Sequence, residues 1–372
     1  MNKTLFALGA SAAALAAGSA TAAKQPNIIL IMVDDMGYSD VGCYGGEIPT
    51  PNIDRLAQSG VRYTQFYSTA RSCPTRASLM TGLYAHQAGI GGMSEDPVPG
   101  RKPGDPRPKK PAAYQGYLNR NCVTMAEVLK SAGYHTYMSG KWHLGMHGQE
   151  KWPLQRGFDR FYGILAGASS YLRPHGGRGL TLDNTKLPPP ETPYYTTDAF
   201  TDYAIEFLDS NKDDGKPYFL YLAYNAPHWP LHAKQEDIDK FLGKYDAGWE
   251  KTREARFRRM AELGLVDDTW ELAEWESRHW EDLTETERKN SALRMSVYAA
   301  QVHCGPCARL GGEERRKGEY ADCLPLGQRR LRRTAHRDRF RYGGRYQRPQ
   351  QLGGSVLRTA VGAGQQYAAA QV

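Results

Sequence analysis

Four short stretches carry side chains able to do chemistry together. "RSCPTRASLMTG", Arg71 to Gly82, sets a hydroxyl, a thiol, a proline and an arginine ahead of good helix formers. Pro74 suits a first helical position, with Ala77, Leu79 and Met80 continuing the turn, so Ser72 and Cys73 are expected at a helix N-terminus. Unpaired N–H groups and the positive end of the helix dipole favour an anion there. "VDDMG" puts Asp34 beside Asp35, and paired hard oxygen donors suit Ca²⁺ or Mg²⁺. "GKWHLG" brackets a tryptophan with Lys141 and His143, and "NAPHWP" carries His228. Singly, each has an ordinary explanation: a capped helix, a solvated acid pair, a structural histidine. Together, a lysine, two histidines and two aspartates, each expected just past a β-strand, form a constellation.

The elements that must position these residues alternate in type. Ile28 to Val33 is a continuous apolar, β-branched run, expected as a strand buried on both faces of a mainly parallel sheet. Its two acids would then lie at the C-terminal edge, where open α/β sheets place ligands. A helix is expected over Ile53–Ser59 and a strand over Val61–Tyr67. A further helix over Met125–Ser131, ended by Gly133, precedes a strand over His135–Ser139. "TTDAFTDYAIEFLDSN" predicts a helix capped by Thr196 or Thr197, and "PYFLYLAYNAPH" a buried strand. The order strand, helix, strand, helix predicts an α/β class, with a mainly parallel mixed sheet sandwiched by helices. Residues 235–300 are charged and expected to be largely helical, with Trp249, Trp270, Trp275 and Trp280 as packing anchors. "EDPVPGRKPGDPRPKKPAAYQGYL" is expected to be a long surface loop.

Composition adds a compartment and a boundary. Residues 1–22 combine Lys3, an Ala- and Leu-rich run and the small-residue site Ala20-Thr21-Ala22, the pattern of a secretory signal peptide. The run is too short and Ala-rich for a membrane span, so a periplasmic or secreted protein with no membrane span is expected. The net charge of +8 is unevenly spread. Residues 304–372 hold 14 basic and 5 acidic side chains, leaving 34 basic and 35 acidic for the rest. The basic character therefore belongs to the tail, and Cys304, Cys307 and Cys323 lie there too. Its C-x-x-C spacing lacks a second pair, and no disulfide framework is predicted for Cys43, Cys73 and Cys122. The expected organisation is 1–22 leader, 23–302 catalytic domain and 303–372 an Arg-, Gly- and Gln-rich disordered arm.

The combined motifs resemble the type I sulfatases of the alkaline-phosphatase superfamily, and the arylsulfatase branch most closely. "SCPTR" resembles their signature of Cys or Ser, any residue, Pro, a small residue and Arg. "HQAGIGGMSED", "MSGKWHLG" and "APHWPLHA" follow in the family's order. The resemblance covers about residues 25–302. It implies an alkaline-phosphatase-like fold and hydrolysis of sulfate esters through a formylglycine made from Ser72, with Cys73 the variable residue. It further implies Asp34, Asp35 and modified Ser72 as ligands of Ca²⁺, or less favourably Mg²⁺. Arg76 would steady the hydrated aldehyde, Lys141 and His228 would hold sulfate oxygens, and His143 would assist at the modified residue. A serine at this place implies a radical-type sulfatase-maturing enzyme as a partner. The substrate would be a sulfated small molecule or glycan, and no nucleic acid is expected.

The sequence departs from the family after residue 302. An Asp and an Asn ligand in a "S-D-N-G" run, and a second Lys, are missing. Back-translated and read one base later, Leu326–Thr334 permits that run, and Gly364–Ala368 permits another family-like one, so a shifted reading frame is the expectation. Ca²⁺ takes six or more oxygens, so this chain is expected to bind metal weakly and to hydrolyse sulfate esters poorly or not at all, with a fold and catalytic domain incomplete at the C-terminus. Two other readings stay open: a phosphate or phosphonate ester hydrolase of the same superfamily, and an inactive binder of sulfated glycans.

Overall fold

The computed structural model describes residues 25–94, 110–267 and 269–303. Its centre is a six-stranded sheet with the order β1-β6-β2-β3-β4-β5. The strands are β1 (Ile28–Asp34), β2 (His135–Lys141), β3 (Arg160–Ile164), β4 (Leu180–Leu182), β5 (Thr185–Lys186) and β6 (Tyr218–Pro227). β1, β6, β2 and β3 run parallel, and β4 and β5 close the far edge antiparallel. The sheet is thus mainly parallel and mixed, as expected. The β4–β5 pair went unpredicted, because two strands of three and two residues carry almost no periodic signal.

The alternation of side chains explains why both faces are covered. Along β6, Phe219, Tyr221 and Ala223 join one core with Cys73, Ala77 and Met80 of helix α2 (Ser72–Thr81) and Ala126 of α3 (Met125–Ser131). Leu220, Leu222 and Tyr224 point the other way, into Phe200, Ala204, Phe207 and Leu208 of α4 (Thr196–Ser210). α1 (Pro51–Ser59) precedes these. α5 (Gln235–Ile238), α6 (Trp249–Glu262) and α7 (Glu285–His303) follow β6, and Ile238 of α5 with Ala292, Ala299 and Ala300 of α7 forms a third core around Phe241 and Tyr245. Local signals set the ends of the helices. Thr124 and Glu127 form a reciprocal capping box at α3, at 3.1 and 2.6 Å. Gly82, at φ 68°, ends α2 and donates its N–H to the Ser78 carbonyl.

Several expectations are corrected. Val61–Tyr67 is not a strand: the pattern is there, but its backbone finds no ladder partner among the described residues, and every residue except Tyr63 is exposed. Pro74 is the third residue of α2, which starts at Ser72. Thr196 and Thr197 lie inside the first turn of α4, after the N-cap Tyr195, and make no side-chain cap. Asp34 and Lys141 are the last residues of their strands rather than past them. Residues 265–267 and 269–279 are not helical. There Trp275 stacks on Trp249, whose ring also meets Trp280 edge-on at 5.0 Å, while Trp270 is exposed. Cys43, Cys73 and Cys122 form no disulfide among the described residues. No helix of the described residues is long and apolar enough to cross a membrane. The leader, much of the long loop and the basic arm lie outside the described residues.

Candidate active site

Neighbouring strands bring the predicted residues together. β1, β6 and β2 are adjacent and parallel, so their C-terminal ends share one edge, delivering Asp34, the turn after Pro227, and Lys141. α2 begins at the same edge, because Arg76 reaches from its second turn to all three strands. The Arg76 guanidinium is fully buried. It donates to Asp34 Oδ1 at 3.2 Å, to the Lys141 carbonyl at 3.1 Å and to the Tyr221 hydroxyl at 3.1 Å. Its Nε lies 3.4 Å from Ser72 Oγ, one helical turn earlier.

Contacts link five of the predicted residues, and the other two, Asp35 and His228, pair with each other beside Asp34. Ser72 Oγ lies 3.2 Å from His143 Nδ1. Lys141 Nζ donates to Asp34 Oδ2 at 2.5 Å with both side chains buried. His228 Nε2 is 3.5 Å from Asp35 Oδ2, and its Nδ1 contacts the Trp229 carbonyl. Asp35 and His143 both hold left-handed backbone, at φ 63° and 53°, a conformation uncommon outside glycine. Gly167 makes room for the histidine: a Cβ there would lie 2.5 Å from His143 Cε1.

Charge is unevenly compensated. Burial alone would push the Asp34 carboxyl up, but Lys141, Arg76 and His228 outweigh it and hold it below the usual range. Burial, followed by the adjacent Asp34, pushes Asp35 above that range. Burial depresses the Lys141 ammonium despite its contact with Asp34. A second carboxylate crowded against the first is what a hard cation relieves, so Asp34 and Asp35 fit as part of a divalent metal site. They do not make a whole one: no group of three or more His, Cys, Asp or Glu side chains able to hold a metal forms among the described residues.

Sequence reasoning missed four participants. Ser94 Oγ lies 3.3 Å from His143 Nε2, so each ring nitrogen faces a hydroxyl. Tyr221 holds Arg76, and Tyr171 places its hydroxyl 2.6 Å from the Asn225 carbonyl and 2.7 Å from that of His228. Asp40 accepts from the Gly37 N–H at 2.6 Å and so braces the turn after Asp35. The phase of β6 could have flagged Tyr221 as facing α2; Ser94 and Tyr171 sit in loops and Asp40 in a three-residue 3₁₀ turn, where spacing is silent.

The sulfatase family model matches residues 26–304. An arylsulfatase of Klebsiella aerogenes is 36% identical over 314 residues, covering 81% of this chain and 64% of its own length. An uncharacterized sulfatase of Schizosaccharomyces pombe is 37% identical over 302 residues, covering 75% of this chain and 52% of its own. The chain therefore spans between about half and two thirds of the length of these relatives. Among solved structures, Ps i-CgsB is similar at 33% identity and a TM-score of 0.50, over 64% of this chain and 54% of that one. The fold also matches yidJ of Bacteroides fragilis at a TM-score of 0.53 and 21% identity, over 75% of this chain and 55% of that one. With a matched region that begins just ahead of β1, ends just past α7 and includes all seven clustered residues, this chain belongs to the sulfatase family.

Proposed function

We propose that the chain hydrolyses sulfate esters at Ser72, after a radical-type maturing enzyme has oxidised that serine to formylglycine. The observation that carries the reading is the setting of Ser72 Oγ at a helix N-terminus, between His143 Nδ1 at 3.2 Å and Arg76 Nε at 3.4 Å. An unmodified serine is a weak nucleophile near neutral pH; the hydrated aldehyde supplies a geminal diol able to attack sulfur and later to expel sulfate. The chain's own residues do the rest. His143 holds or moves a proton at the Ser72 oxygen. Arg76 donates to that oxygen and keeps α2 in register with the strand ends. Lys141 and His228, at adjacent strand ends, supply fixed hydrogen-bond donors for sulfate oxygens, and the first N–H groups of α2 add to them. Asp34 and Asp35 would hold Ca²⁺, whose chemistry there is to polarise a sulfate oxygen.

Two carboxylates and one oxygen at residue 72 fall short of the six or more that Ca²⁺ takes. The chain as written therefore binds Ca²⁺ weakly and turns over slowly. Residues 1–22 direct its export to the periplasm or beyond.

The test is coexpression with a serine-accepting maturing enzyme. Mass spectrometry of the peptide Arg71–Arg76 should show loss of two hydrogens, and sulfate release from 4-nitrophenyl sulfate should rise with added Ca²⁺. Ser72→Ala should abolish both. Faster cleavage of a phosphate ester than of the sulfate ester would transfer the assignment to phosphoester hydrolysis. Full, Ca²⁺-independent turnover would refute the partial metal site.

A further inference from the structure

His143 carries two ring nitrogens, and the reaction above engages one of them. The residue is buried, and its ring is enclosed by three neighbours. Nδ1 faces Ser72 Oγ at 3.2 Å, Nε2 faces Ser94 Oγ at 3.3 Å, and Gly167 lies against Cε1. Ser94 is itself fixed by the segment that carries it. Gly91 donates its N–H to the Ala113 carbonyl at 2.7 Å, Gly116 donates to the Gly89 carbonyl at 3.1 Å, and Ile90 bridges to Tyr114. Lys110 Nζ then donates to the Ser94 carbonyl at 2.7 Å. A Cβ at Gly116 would lie 3.1 Å from Ser94 Cα, so the two stretches of backbone pack closely. Cys73 Sγ, beside Ser72 in the chain, donates to the Gly92 carbonyl at 3.6 Å and ties the same segment to the start of α2.

The hydrogens available fix the tautomer of this ring. Among the described residues two groups meet Ser72 Oγ: Arg76 Nε at 3.4 Å and His143 Nδ1 at 3.2 Å. A guanidinium N–H only donates. The single hydroxyl hydrogen of Ser72 therefore points to Nδ1, which must carry no proton in order to accept it. The proton of the neutral imidazole then sits on Nε2, and Ser94 Oγ accepts from it. In a ring so buried, an Nε2–H without an acceptor is costly. When residue 72 gives up its proton, its O–H bond breaks and an Nδ1–H bond forms. Both nitrogens of the resulting imidazolium donate, and Ser94 stays the acceptor without reorienting.

We propose that Ser94 is a positioning residue for this site: by accepting from Nε2–H it holds the His143 ring in one orientation and one tautomer, with Nδ1 ready for the proton of residue 72. It acts through His143 rather than on the ester. The kinetic consequence rests on the sulfate-ester reading, whereas the tautomer is already set with Ser72 unmodified.

The test is nitrogen-15 NMR of the histidine side chains in the full chain with Ser72 unmodified, at about pH 8, above the ordinary histidine range of about 6.5. His143→Gln identifies the signals. The parent should show His143 with a protonated Nε2, its N–H protected from exchange with water, and an unprotonated Nδ1. In Ser94→Ala that N–H signal should be lost to exchange and the two tautomers should mix, while Ser94→Thr should keep the parent pattern. Thermal unfolding establishes that both variants are folded. A parent protonated at Nδ1, an N–H signal that survives in Ser94→Ala, or a Ser94→Thr protein that behaves like Ser94→Ala overturns the proposal. After maturation, Ser94→Ala should lower kcat for 4-nitrophenyl sulfate about tenfold with KM unchanged, the scale of one hydrogen bond. A raised KM with kcat unchanged would place Ser94 in substrate binding and overturn the positioning role. A matured parent that turns over no sulfate ester, with the tautomer pattern intact, overturns the sulfate-ester reading instead.

Discussion

Arg76 joins four elements through one side chain: Ser72 of α2, Asp34 of β1, the Lys141 carbonyl of β2 and Tyr221 of β6. A planar, multiply donating fork does this; a lysine's single ammonium does not. The Arg76→Ala variant leaves the Asp34 carboxylate and the Lys141 carbonyl short of donors in a dry setting. It should cost about 3 kcal/mol of unfolding free energy, within the range for breaking a buried ion pair. Arg76→Lys should recover only part of that loss. Urea unfolding of both variants checks the order, and an Arg76→Lys protein as stable as the parent would contradict it. The i, i+4 spacing of Ser72 and Arg76 was legible in the sequence, since both fall on one helix face. The hydroxyls of Tyr221 and Ser94 were not, because each meets its partner across more than forty residues of chain.

At the scale of elements, the adjacent ends of β1, β6 and β2 depend on close backbone approach. Gly140 sits at φ 116°, and a Cβ there would fall 1.9 Å from the Ala223 carbonyl oxygen of the neighbouring strand. Gly140→Ala should therefore force β2 from β6 and lower the unfolding free energy by more than about 3 kcal/mol. Gly133→Ala is the control. It also has positive φ, at 89°, but meets nothing within 4 Å. It should cost about 1 kcal/mol. Thermal unfolding of the pair separates steric collision from backbone preference. The apolar runs of β1 and β6 were legible as doubly buried strands because their composition suffices for that. Val61–Tyr67 is rich in β-prone residues though interrupted by Arg62 and Gln65, yet a strand is a relation between two segments, and among the described residues no segment pairs with it.

Across the whole molecule, a polar network ties the turn after β1 to the late helices. Arg256 of α6 contacts Asp40 and binds Glu47 at 2.5 and 2.9 Å. Tyr298 of α7 also contacts Asp40, and Tyr245 donates to Glu47 at 2.8 Å. Since Asp40 also holds the Gly37 N–H, residues more than two hundred positions away brace the loop beside Asp35. Burial would raise the Glu47 carboxyl, but the hydrogen bonds and charge of Arg256 outweigh it and hold it below its ordinary 4.5. The stability this contributes is complete above pH 4.5 and is lost as pH falls through the lower folded value. Glu47→Gln should thus cost about 1–3 kcal/mol at pH 7, the worth of a charge-assisted hydrogen bond. The gap from the parent protein should close as the pH drops below 4.5. Unfolding curves across pH 3 to 7 measure it, and a gap that persists in acid would deny Glu47 its charged role.

The sequence alone determined the class of fold, the identities of the seven clustered residues and the family, because periodicity, residue chemistry and motif order are local or linear properties. Only the tertiary structure decided that Asp34 is shared by Arg76 and Lys141, that His143 stands between two hydroxyls, and that Tyr171 holds the turn carrying His228. Those facts depend on which strands become neighbours and how closely their backbones approach, and such distances are set by packing among segments far apart along the chain.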